Sequence, residues 1–230
     1  MRTLRKTKPE PSCLKSYRET PGADWSSVHG ESRAELRKQL WRDQQGLCAY
    51  CQSRIGPSTG PDTDTDTDTD EAFAKLAEST MTIEHFAARS VDASKTFVWE
   101  NLLGSCKGTS NGDDHCDKYR GAKPLPLHPC IVVKLESHFR YTKTGEIKVT
   151  ETLSEAQRRD AQAMIANLHL NARTLMRNRA EVQESLGRQL ARGADPRKLL
   201  ALAATPRSGA LEAFVQVALD YLTKKCAQRP

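Results

Sequence analysis

No apolar run in this chain of 230 residues approaches the ~20 residues that a membrane-crossing helix needs. The longest, such as "LLALAA" at 199–204, fall far short, so no membrane segment is expected and the chain should be soluble. A secretory signal is also lacking: the first residues are basic, but no apolar stretch follows them, and the expected compartment is the reducing cytoplasm. Even cysteine parity is absent. Seven thiols in a reducing setting read as metal ligands plus bystanders rather than as disulfides. Nor is there a strong charge of either sign. Lys and Arg total 35 against 29 Asp and Glu, and the net charge of +6 suits a polyanionic partner without demanding one.

What is present divides into two unequal parts, an α+β fold that is mostly helical. Residues 1–30 hold three prolines and little periodicity, which predicts an extended N-terminal arm. Within it, "SYRET" and Trp25 are read as packing on the chain's own core, with a docking segment as the alternative. A central domain is expected over 31–150. Its first helix is predicted to start at Ser32, with Glu35 reaching back as in a capping box, and to bury Leu36, Leu40 and Trp41. The acidic stretch at 57–71 has neither core residues nor helical period and reads as a solvated, disordered insert. Its alternating aspartates lack the glycine turn and closing glutamate that a calcium loop requires at fixed offsets. A short helix around "EAFAKLAES" is expected to close it. Further on, "HFRY", the turn "TKTG" and "EIKVT" predict a hairpin. From 151 to 230 the chain is expected to be helical. Ser154 and Gln157 form a second capping box, Leu175, Met176, Val182, Leu186 and Leu190 share one helix face, and an apolar stripe runs from Leu211 to Leu222.

Cys48 and Cys51, in "CAYC", can turn both sulfurs toward one ion. Cys106 and Cys116 supply a second pair, and two half-sites distant in sequence are a common way to assemble structural zinc; four unrelated thiols are the bland alternative. His115 is the second choice for the fourth ligand, the thiolate being softer. Cys13, Cys130 and Cys226 have no partner at ligand spacing. Between the half-sites stand "IEH" at 83–85 and "WENL" at 99–102, and "HCD" overlaps the second pair. Together they offer carboxylates for a hard metal ion, an imidazole to act as a general base, and an amide, the parts that phosphodiester hydrolysis needs.

That order resembles the HNH endonuclease family, whose zinc-supported beta-beta-alpha-metal core carries these residue types in this sequence. More narrowly, "QQGLCAYCQ", "TIEHF", "WENLLGSC", "HCDKYRG" and "NLHLN" resemble the HNH subunits found with retrons and Septu-type anti-phage systems, which work beside an ABC-type ATPase. The resemblance implies a nuclease core with His85 as general base. It implies that Glu84 and Asp117 hold one Mg²⁺ or Mn²⁺, and that Asn101 pins the loop orienting His85. His115 is again a second choice. Both Glu84 and His85 can reach one phosphate only near a strand end or a twist, since strand neighbours alternate faces.

Lys118, Arg120 and Lys123, with Lys107, crowd the helix expected after Cys116, where they are placed to contact phosphates. Residues 171–230 carry 11 Lys and Arg against 5 Asp and Glu, suited to nucleic-acid backbone or, as the resemblance implies, to docking on the ATPase. A retron RNA/DNA assembly reached through that ATPase is a further implied partner. The expected function is a defence endonuclease acting on DNA first, with RNA such as tRNA as the second substrate class. The alternative is a zinc-stabilised nucleic-acid-binding or adaptor protein that does not cut. The presence of His85 favours the enzyme.

Overall fold

The computed structural model describes residues 1–57, 68–109 and 112–228; the acidic insert from 58 to 67 lies outside the described residues, while its last residues, from Asp68 on, are already helical, so the closing helix begins three residues before the expected Glu71. The N-terminal segment is not extended throughout. Pro11 opens a helix, α1 (Ser12–Glu19), that buries Leu14 completely, and Asp24 caps a 3-10 turn at Trp25–Ser27 by accepting from the backbone of Ser26 and Ser27. The segment is bound to the body by Leu4 N–H donating to the Pro129 carbonyl and by Lys6 Nζ donating to the Leu102 carbonyl while lying over the Trp99 ring.

Helix α2 (Gly30–Gln44) begins two residues before the expected Ser32 cap. His29 is the N-cap and makes no side-chain cap, and the Ser32 hydroxyl faces Tyr17 Oη instead. The predicted face is buried at Leu36, Leu40 and Trp41, and Gln44 joins it. The Gln44 amide donates to the Gly104 and Leu47 carbonyls while its oxygen accepts from Gly104 N–H, so the helix end is stitched to a strand. Gln45 and Gly46 then take positive φ and turn the chain into the first cysteine pair.

Helix α3 (Asp68–Thr80) leads into β1 (Met81–His85), which pairs antiparallel with β2 (Leu102–Cys106) from Met81 opposite Cys106 to His85 opposite Leu102. All five residues of β2 are buried, and Gly104 is needed there because a Cβ would press on Met81 Cε, Ile55 Cδ1 and the Gln44 amide. The short helix α4 (Cys116–Arg120) follows. The expected hairpin forms as β3 (Phe139–Tyr141) and β4 (Ile147–Val149), antiparallel.

The rest is helical. Helix α5 (Glu155–Asn167) carries the Ser154–Gln157 capping box, and α6 (Arg173–Ala191) follows. The "LLALAA" run lies within α7 (Pro196–Ala204), capped by Asp195, and α8 (Val215–Ala227) ends the described chain. Of the stripe expected on α6, only Leu175 is fully buried, and Arg179 is the other buried residue. A single apolar cluster extends from Leu4 through Leu36, Leu103 and Leu175 to Val217, so the helices share a core with the strands. Among the described residues no helix is long and apolar enough to cross a membrane.

Candidate metal centre and adjoining cleft

Four buried thiols meet where three segments cross. Cys48 and Cys51 lie in the loop after α2, held by Cys48 N–H to the Ser53 carbonyl and Ala49 N–H to the Gly104 carbonyl. Cys106 closes β2, and Cys116 opens α4 with a positive φ and its N–H on the Leu168 carbonyl. The loop between them is closed by His115 N–H donating to the Gly108 carbonyl. Gly108 has φ +68, and a Cβ there would overlap the His115 carbonyl oxygen.

The four Sγ atoms lie within 4.8 Å of one another, with Cys48–Cys116 at 3.9 Å and Cys51–Cys106 at 3.7 Å. A tetrahedron of sulfurs at a Zn–S distance of ~2.3 Å has edges of ~3.8 Å, so the group has the size that a zinc ion requires. Burial opposes ionisation of Cys48, yet hydrogen bonds from the Cys106, Cys116 and Cys51 thiols hold it well below the usual thiol range. Burial in turn pushes Cys116 well above that range. A divalent cation at the centre would favour the thiolate form of all four sulfurs, which burial alone opposes. His115 is close but is not one of the four: its Nδ1 is 3.3 Å from Cys116 Sγ and 3.8 Å from Cys106 Sγ, as a hydrogen-bond partner of the sulfurs. It lies with the thiols and does not line the neighbouring cavity.

That cavity, about 560 Å³, is lined by Glu84, His85 and Asp117 together with Trp25, Arg89 and Gly121. Glu84 and His85 are strand neighbours that reach one space because β1 ends at His85. His85 Nε2 is 3.0 Å from the Thr96 carbonyl, and the Trp25 ring stands edge to face against the imidazole with centroids 4.4 Å apart. Burial lowers the His85 pKa to about 4, so the ring is neutral near pH 7. Asn101 sits just before β2. Its Oδ1 accepts from Ala87 N–H at 2.7 Å, and its Nδ2 donates to the Ala87 and Lys95 carbonyls, tying both ends of the loop after His85.

Glu84 is 6% exposed, and Arg120 Nη1 and Tyr50 Oη both donate to its Oε1. Burial, with the adjoining Asp117 carboxyl, pushes Glu84 up to about 9 against the pull of Arg120. Arg120 departs from expectation. It is not at the surface for phosphates but 2% exposed, paired with Glu84 and donating to the His85 and Phe86 carbonyls and, through Nε, to the Lys123 carbonyl. Lys107, Lys118 and Lys123 are exposed, and Lys123 Nζ lies over the Tyr119 ring.

Three residues of this region escape the sequence reading. Tyr50 carries a faint signal, being enclosed by the two cysteines of "CAYC"; Trp25 is expected only to pack on the core and Arg89 carries no signal, because only folding brings residue 25 and the loop after β1 to one wall. No protein-family model matches this chain, and no curated protein matches it.

Proposed function

We propose that the chain is a metal-dependent endonuclease of HNH type that hydrolyses phosphodiester bonds of nucleic acid, DNA first and RNA such as tRNA second. The observation that carries this reading is the convergence of Glu84, His85 and Asp117 on one cavity beside the four-thiol cluster. Two antiparallel strands followed by a short helix deliver those residues in the order that the motif resemblance implies.

The chemistry follows from the side chains. With Nε2–H donated to the Thr96 carbonyl, His85 keeps the Nδ1 lone pair to take a proton from water, and its neutrality near pH 7 makes it competent as a base. Asn101 restrains the loop that carries the Thr96 carbonyl. Glu84 and Asp117 suit a Mg²⁺ or Mn²⁺ ion, because two acids crowded together with one of them driven to about 9 are stabilised by a cation. When bound, that ion supplies charge neutralisation at the phosphate and at the leaving oxygen. The structural ion is zinc, held by Cys48, Cys51, Cys106 and Cys116. Work beside an ABC-type ATPase in anti-phage defence, with a retron assembly reached through that partner, rests on the sequence motifs alone.

One observation favours the alternative of a nucleic-acid-binding or adaptor protein that does not cut: the Arg120 guanidinium already occupies Glu84 Oε1, one of the oxygens a metal ion would need. Cleavage of plasmid and total RNA with Mg²⁺ or Mn²⁺, wild type against His85→Ala, separates the two. Loss of the general base is expected to slow cleavage by roughly 10²- to 10⁴-fold. Equal cleavage by the variant removes His85 from the mechanism.

A further inference from the structure

We propose that the N-terminal segment is a working part of the active site, with Trp25 as the positioning residue that fixes the ring of His85. The inference rests on the reading of His85 as general base.

Among the described residues one hydrogen bond holds the His85 ring, from Nε2 to the Thr96 carbonyl at 3.0 Å. A single anchor leaves an imidazole free to rock about its Cβ–Cγ bond, and a base must stay oriented to act. Trp25 supplies the second constraint. Its ring meets the imidazole at 87° with centroids 4.4 Å apart, an edge-to-face contact of the kind aromatic pairs prefer. Trp25 is partly buried against the apolar core and also lines the cavity, so it meets the imidazole from within the site as well as from the core. The indole is itself held, by the Asp24-capped turn and by Arg33, whose Nη2 donates to the Trp25 carbonyl and whose guanidinium lies 5.8 Å from the ring.

The first anchor traces to the same segment. Thr96 precedes Phe97, whose ring stacks on Tyr17 at 5.5 Å and lies 6.4 Å from Trp25, and whose carbonyl accepts from Arg18 Nη1 at 2.8 Å. Residues 17–25 therefore hold both the carbonyl that receives Nε2–H and the ring that braces the imidazole. With Asn101 restraining the same loop from within, His85 is thus also oriented from outside the strand and short helix that carry Glu84 and Asp117.

The test uses the full chain with ¹⁵N-labelled histidine and reads the His85 tautomer by long-range ¹H–¹⁵N correlation, alongside cleavage kinetics. The wild type is expected to show a single Nε2–H tautomer. Trp25→Ala is expected to mix the tautomers and to lower kcat by roughly 10²-fold with KM little changed, and Trp25→Phe to restore both. Arg18→Met, which frees the Phe97 carbonyl, should move the tautomer the same way by less. A single Nε2–H tautomer and wild-type kcat in Trp25→Ala overturn the proposal. If Trp25→Ala melts early, Trp25→Leu replaces it, and an unchanged tautomer there is equally fatal. If no form of the protein cuts but the tautomer still follows residue 25, positioning stands and the nuclease reading falls.

Discussion

A buried arginine is tolerated only with a partner, and Arg120 has one in Glu84, with three backbone carbonyls taking three more of its five N–H groups. This explains why its role was not legible: a cation one turn after a candidate metal ligand reads as a phosphate contact, and only the burial of α4 against β2 turns it inward. The four cysteines were legible because ligand spacing and thiol softness constrain each other. At the same scale, metal analysis is expected to give about one zinc per chain, and Cys51→Ser or a strong chelator to lower the melting temperature with loss of the ion. A zinc-free protein that melts unchanged after chelation removes the thiol site. His128 sets a pH prediction. Its ring lies tilted against Phe86 with centroids 4.2 Å apart, its Nδ1 accepts from Cys130 N–H, and burial lowers its pKa from 6.5 to about 4. Between those values the unfolded chain binds the proton more readily, so stability is fully present above about pH 6.5 and is lost as the pH falls toward 4. Chemical denaturation across that window should show a shallower acid loss in His128→Gln than in the wild type.

At the scale of elements, local signals were read well where they close on themselves. The Ser154–Gln157 box satisfies backbone N–H groups within a few residues, so sequence alone determines it, and Ser154→Ala is expected to cost ~1 kcal/mol, seen as a lower midpoint in urea. An unchanged midpoint would mean that the cap is replaced by water. The Ser32 cap fails for a reason beyond local sequence: Tyr17, brought in by α1, takes the hydroxyl, and α2 starts at Gly30. Likewise the α6 stripe is correctly periodic but only partly covered beyond Leu175: Val182 packs on the core and the helix lies against α8, yet Met176, Val182, Leu186 and Leu190 all stay partly exposed. Periodicity marks which side is apolar; neighbours decide how much of it is covered.

On the scale of the whole molecule, the chief departure is the N-terminal segment. The expected packing of "SYRET" and Trp25 on the chain's own core is what forms, with Leu4, Leu14 and Val28 in the same core and bonds from Leu4 and Lys6 to the Pro129 and Leu102 carbonyls; the departure is that a segment expected to be extended holds helix α1. Leu14→Ala is therefore expected to cost ~2–5 kcal/mol, measured by chemical denaturation. A loss below ~1 kcal/mol would return the segment to the status of a loose arm. No pattern within residues 1–30 announces that helix, because the apolar positions are too sparse to show a face until the body they cover exists.

The hydrogen bond from Cys116 N–H to the Leu168 carbonyl has a consequence for the order in which the protein is made. A ribosome that has emitted residue 120 has already delivered all four thiols, Glu84, His85, Asn101 and Asp117. The carbonyl that seats Cys116 arrives only after α5 has been translated, so a growing chain carries every candidate reactive group for some time before it owns the scaffold that aligns them.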